Sequence, residues 1–126
     1  MSLGLLLESH AALWRIAAPD RLSGPARRAL AEPRTRLHVS VVTAWELEMK
    51  AARGKLPLPP TLWGRMVEAG ITFLPVSMAH ALLAARLPLH HRDPIDRMIV
   101  AQAMTEGLTL VTKDPAAVAY GLPVLW

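Results

Sequence analysis

The chain has 126 residues, room for one domain with a real core and not for two. Apolar residues make up 52% of it and charged ones 19%, which excludes an intrinsically disordered chain. With no Cys, a disulfide framework, a thiolate metal site and a Cys nucleophile are excluded as well. The formal net charge is +4, carried by 11 Arg and 3 Lys against ten acids. Arg forks onto phosphate in a planar, bidentate way, so a nucleic-acid partner and a merely Arg-rich proteome both account for this balance.

The first apolar run, residues 4–7, predicts a buried strand ended by Glu8. No basic segment precedes Leu5-Leu6-Leu7, so a secretory leader is not expected and a cytoplasmic location is. No apolar run approaches the ~20 residues of a membrane span. Helical spacing follows over 10–17, and Ser23 is a predicted N-cap for 24–31. A second strand is predicted at 37–41, then a helix over 43–53 that stops at Gly54. Residues 55–60, Lys-Leu-Pro-Leu-Pro-Pro, read as an extended connection. A helix over 60–69 ends at Gly70, a strand is predicted at 72–76, and a helix over 77–86 is closed by Pro88. Asp93 caps a helix with Pro94 in its first position, running to Glu106 before Gly107. A strand over 108–112, a short helix over 115–119 and a strand over 123–125 complete the chain. This alternation predicts an α/β sandwich on a parallel sheet of four to five strands with right-handed crossovers.

Four of the ten acids fall just beyond the carboxyl ends of predicted strands, where a parallel sheet places its ligand site. Glu8 ends the first strand, Glu46 lies one turn into the helix after the second, and Asp96 sits in the first turn opened by Asp93-Pro94. Asp114 follows Thr112 by two residues. Carboxylates brought together repel and push one another's pKa up unless a cation compensates. The economical cation is a hard one, Mg²⁺ or Mn²⁺, which can acidify a bound water and stabilise charge on a phosphodiester. With a basic surface, that combination suggests a nuclease. Each acid also has a structural use. Asp93 is an N-cap that Asp96 would complete, Glu46 faces Lys50 at i,i+4, and Asp114 caps residues 115–119.

Several segments resemble a known family. Leu6-Leu7-Glu8-Ser9-His10-Ala11-Ala12-Leu13-Trp14 resembles the opening Leu-Leu-Asp-(Thr/Ser)-His-Ala-Leu-Leu-Trp of PIN-domain toxins of the VapC type. Ala44-Trp45-Glu46-Leu47-Glu48-Met49-Lys50 and Gly54-Lys55-Leu56 are similar to its Trp-Glu-Ile-Ala-Ile-Lys and Gly-Lys-Leu. His90-His91-Arg92-Asp93-Pro94-Ile95-Asp96-Arg97 is similar to its His-Arg-Asp-Pro-Phe-Asp-Arg, and Gly107 to Asp114 continues the match.

The resemblance implies a single PIN domain over residues 1–126, a three-layer α/β/α sandwich. It implies a Mg²⁺-dependent endoribonuclease, the toxin half of a toxin–antitoxin pair, with RNA as substrate, a cognate antitoxin as partner and a homodimer as the usual assembly. It carries the catalytic and metal-binding roles to Glu8, Glu46, Asp96 and Asp114, with Ser9, Asp93 and Thr112 supporting them. One departure stands out: the family has Asp where this chain has Glu8, one methylene longer. The alternative is therefore a catalytically impaired PIN domain acting as an antitoxin- or RNA-binding module. Arg92 and Arg97 flank the acids and are candidate RNA contacts, with surface solvation or a salt bridge as their other use. His90 and His91 are possible RNA contacts, His10 a hydrogen-bonded structural residue, and Trp14, Trp45 and Trp63 core or subunit packing.

Overall fold

The computed structural model describes residues 4–126, and its centre is the strand β1 (Gly4–Leu7), buried at every position. Successive strand residues face opposite sides of a sheet, so β1 needs an apolar layer on both. It has them. Leu5 and Leu7 join Leu37, Val39 and Val111 in one core, while Leu6 and Leu110 join Ile99 and Val100 in the other.

The chain runs β1, α1 (Ser9–Ala17), a 3-10 turn (Pro19–Arg21), α2 (Gly24–Ala31), β2 (Arg36–Ser40) and α3 (Val41–Ala52). Then come α4 (Leu62–Glu68), β3 (Ile71–Leu74), α5 (Met78–Arg86), α6 (Pro94–Glu106), β4 (Thr109–Val111), α7 (Pro115–Val118) and β5 (Val124–Leu125). The sheet has five strands in the order β3-β2-β1-β4-β5, and every neighbouring pair is parallel. Register sets Leu7 beside both Val39 and Val111, and Leu6 beside His38 and Leu110. Helices α1, α2 and α4 cover one face; α5, α6 and α7 cover the other. This is the three-layer parallel α/β/α fold that the resemblance implied.

Element ends differ from sequence spacing where a side chain decides them. Helix α3 begins at Val41, not residue 43, because Ser40 Oγ accepts the Val42 N–H at 3.1 Å and ends β2 there. Helix α4 begins at Leu62, since the Leu62 N–H closes a turn on the Pro59 carbonyl at 3.0 Å. The turn at Pro19–Arg21 has no counterpart in the sequence expectations.

Arg97 corrects a functional expectation. It was expected beside the acids as an RNA contact, but its side chain is buried. Its guanidinium donates to the carbonyls of Ala84 and Leu87 at 2.8 Å each, of Pro88 at 3.0 Å and of His91 at 3.3 Å. Tyr120 works on the same loop: its hydroxyl donates to Pro88 O at 2.9 Å and accepts the His91 N–H at 2.8 Å. Nearby, His80 Nδ1 accepts the Ser77 N–H at 3.0 Å, which leaves Nε2 to donate to Glu106 at 3.0 Å and ties α5 to α6.

A lysine keeps the charge of Arg97 and loses its fork. Arg97→Lys is therefore expected to lower unfolding free energy by about 2–3 kcal/mol, read as a lower urea midpoint. A midpoint equal to that of the unaltered chain would remove the clamp from this account.

Candidate active site

The strand order reverses between β1 and β4: the chain builds from β1 through β2 to the β3 edge, then returns to place β4 on the other side of β1. Parallel sheets open a crevice at such a point, beyond the strand carboxyl ends. A cleft of about 470 Å³ lies there, and Glu8, Glu46, Asp96 and Asp114 all line it, with Ser9, Asp93 and Thr112. Arg92 is exposed on another surface, beside Leu89 and Met98, and does not line the cleft; Arg97 is turned away from it as described.

Each acid is held by something positive. Glu8 is the N-cap of α1: Oε1 accepts the Ala11 N–H at 2.8 Å, while Oε2 lies 3.4 Å from both Ser9 Oγ and His10 Nδ1. Asp114 caps α7 through the Ala116 N–H at 2.9 Å, and its own N–H donates to Thr112 Oγ1 at 3.1 Å. Asp93 caps α6 through the Ile95 N–H at 2.9 Å. Asp96, in the first turn of α6, takes no part in that cap and faces the cleft instead. Helix N-termini carry partial positive charge, so the caps place carboxylates where the backbone tolerates them. Glu46 lies 3.7 Å from Lys50, one helical turn on.

His91 is the residue that spacing along the chain did not single out. Its Nε2 lies 2.7 Å from Asp114 Oδ2 and 3.3 Å from Asp96 Oδ2, bridging two acids from different elements. The loop clamped by Arg97 and Tyr120 delivers it. His10 is exposed at the cleft mouth, its ring 5.5 Å from that of Trp14. Of the tryptophans, Trp14 is buried, Trp45 is exposed, and half-buried Trp63 donates Nε1–H to Glu48 at 2.7 Å.

The electrostatics follow from the crowding. Burial pushes the Asp96 carboxyl from 3.8 up to about 6; His91 opposes the rise, and Asp93, Glu46 and Asp114 add to it. Asp114 is held below its ordinary value, chiefly by the Ala116 N–H and further by His91. The donor set is all carboxylate oxygen, the chemistry of a hard divalent cation. Among the described residues no three acids or imidazoles already surround one point. The residues fit Mg²⁺ or Mn²⁺ by donor type and shared cleft.

Comparison with known proteins adds to this geometry. A family profile described as PIN domain matches residues 5–121. The chain is 35% identical over 113 residues to Ribonuclease VapC22 of Mycobacterium tuberculosis, covering 87% of this chain and 86% of that protein. In fold it is similar to a chain of VapBC2 from Rickettsia felis bound to a promoter DNA fragment, with TM-score 0.73, 14% identity and 97% of each chain covered. It is also similar to a chain of DNA-bound VapBC from Salmonella typhimurium, with TM-score 0.69, 20% identity, and 97% and 96% covered.

The raised Asp96 carboxyl makes a stability prediction for the metal-free protein. A folded-state pKa above the unfolded one means stability is lost as pH rises from about 4 to about 6. Asp96→Asn removes that loss. In EDTA it is expected to stabilise the chain at pH 8 by about 1 kcal/mol, a figure reduced because the carboxyl is partly solvated, and the gain should vanish at pH 4. Thermal melts at the two pH values check this; an equal gain at both would sink it.

Proposed function

The chain belongs to the PIN-domain family, of the VapC type, and we propose that it is a metal-dependent endoribonuclease, the toxin of a toxin–antitoxin pair. The carrying observation is that Glu8, Glu46, Asp96 and Asp114, 106 residues apart from first to last, line one cleft. RNA as the substrate is supported by the relative named a ribonuclease, at 35% identity over most of both chains. An antitoxin partner is supported by structural neighbours that are themselves VapBC complexes.

Glu8, Glu46, Asp96 and Asp114 are the residues that would hold Mg²⁺ or Mn²⁺. Bound by these residues, such an ion would supply neutralising charge for the phosphodiester and acidify a water for its hydrolysis. The chain's own residues prepare the cleft for it. Thr112 and the Ala116 N–H orient Asp114; Ser9 and the Ala11 N–H orient Glu8. Lys50 offsets the charge of Glu46 and carries hydrogens that a phosphate oxygen can accept, while His91 Nε2 holds Asp96 and Asp114 in place. Lys113, also at the cleft, adds a further cation for the RNA backbone.

Protein partners are supported by exposed apolar surface. Trp45 is 58% exposed, beside Val41, Trp63 and Phe73, and Leu89 is 75% exposed near Met98. A chain of this size with two such areas suits both an antitoxin and a second copy of itself. The longer side chain of Glu8 still reaches the common cleft, which supports an active enzyme over a silent module.

Calorimetric titration with Mn²⁺ and cleavage of a structured RNA test the proposal together. The unaltered chain is expected to bind and cleave; Asp96→Ala should lose measurable binding and more than about 100-fold in cleavage. Failure of the unaltered chain to bind Mn²⁺ or Mg²⁺ would overturn the metal-nuclease proposal and leave the binding module.

A further inference from the structure

A second cavity, of about 310 Å³, adjoins the acid cleft and shares Ser9, His10 and Lys50 with it. Its remaining walls are Leu13 from α1, Leu47 from α3, and Lys55 and Leu56 from the connection after α3. Three leucines thus form an apolar floor, and two lysines stand at the rim.

The lysines are there because of how α3 ends. Gly54 has φ +69°, a left-handed conformation that side chains other than glycine adopt at a cost. Its N–H donates to Ala51 O and the Lys55 N–H donates to Lys50 O, each at 3.0 Å. This is the paired 5→2 and 6→1 closure of a helix by a left-handed residue. It turns the chain back along α3, so Lys55 and Leu56 lie beside Lys50 rather than continuing away from it. Lys55 is exposed, Leu13 and Leu56 are half-buried, and Leu47 is buried.

We propose that this groove seats the RNA nucleotide adjoining the scissile phosphodiester, with its base on Leu13 and Leu56, backed by buried Leu47, and its phosphate on Lys55. The proposal rests on the ribonuclease function above and extends it to a substrate contact outside the acids. Charge selects the occupant. The groove pairs apolar floor with cations, the complement of a base attached to a phosphate. The Trp45 surface is also apolar, but its one ionisable lining residue is Glu48, which repels a phosphate. The shared wall explains adjacency: a chain lying across Ser9 and Lys50 has one phosphate among the acids and the next residue over the leucines. The volume is at the small end of the range for ligand cavities, room for a single nucleotide unit.

The test uses the full chain and a labelled, mixed-sequence 2′-O-methyl RNA oligonucleotide, with fluorescence anisotropy read in Ca²⁺ across a salt series. Lys55→Ala should weaken binding about fivefold and make the slope of log affinity against log salt shallower by about 0.7, the signature of one lost single-strand phosphate contact. Lys55→Arg should restore both. Leu56→Asn should weaken binding and leave the slope unchanged, because it removes apolar contact and no charge. Lys55 is exposed, so its variants keep the fold, and a melting curve checks Leu56→Asn. If Lys55→Ala binds with unchanged affinity and slope, the groove is not an RNA seat and falls to a protein occupant, with the ribonuclease function intact. If the unaltered chain does not bind the oligonucleotide, both proposals are overturned.

Discussion

The rest of the structure depends on holding four carboxylates in one cleft against their mutual repulsion. Burial, with Asp93, Glu46 and Asp114 adding to it, raises the Asp96 carboxyl to about 6, because a partly buried carboxylate among others does not stay charged cheaply. The acids are compensated by local partners. Glu8 and Asp114 are helix caps that accept backbone N–H groups, Glu46 has Lys50, and His91 stands between Asp96 and Asp114. The acids that cap α1 and α7 are also acids that line the cleft, so a capping role and a place at the proposed site do not exclude one another.

The sheet makes that economy possible. β1 is buried on both faces and lies at the centre of the sheet, between β2 and β4, so its carboxyl end sits where the strand order reverses. Glu8 follows it directly, and the Glu8 N–H is tied to Val111 O at 3.1 Å. The spacing of the first and last acids is thus set by main-chain pairing between β1 and β4, not by side-chain contact. Helix α3 completes the cleft: Thr43 and Leu47 face inward, which brings Glu46 to the same side as Asp96.

Much of this was legible in the sequence. The parallel sheet came from apolar runs without strict alternation separated by helical spacing, and the acids from their place after those runs. What was not legible depended on chain return. His91 meets Asp114 across 23 residues, through a loop whose path is set by Arg97 and Tyr120, and nothing local to His91 records that path. The direction of Arg97 is legible too, since neighbouring helix residues point about 100° apart. If Asp96 faces the cleft, Arg97 cannot share its direction. Glu48 differs again: only the fold brings Trp63, 15 residues on, to it as the hydrogen-bond donor.

The clamp on the loop before α6 has a consequence for how such a chain can diverge. Arg97 grips carbonyl oxygens, and Tyr120 grips one carbonyl and one N–H; neither touches a side chain of the loop in these bonds. A grip on the main chain is blind to what hangs from it. His90 packs its ring edge-on against Tyr120 at 4.9 Å, but Pro88 and Leu89 can drift to other residues while His91 keeps its place between two acids, so the loop offers surface for new recognition at little risk to the cleft beside it. The fold therefore asks more of Arg97 and Tyr120 than of Pro88 and Leu89, the reverse of what proximity to the cleft would suggest.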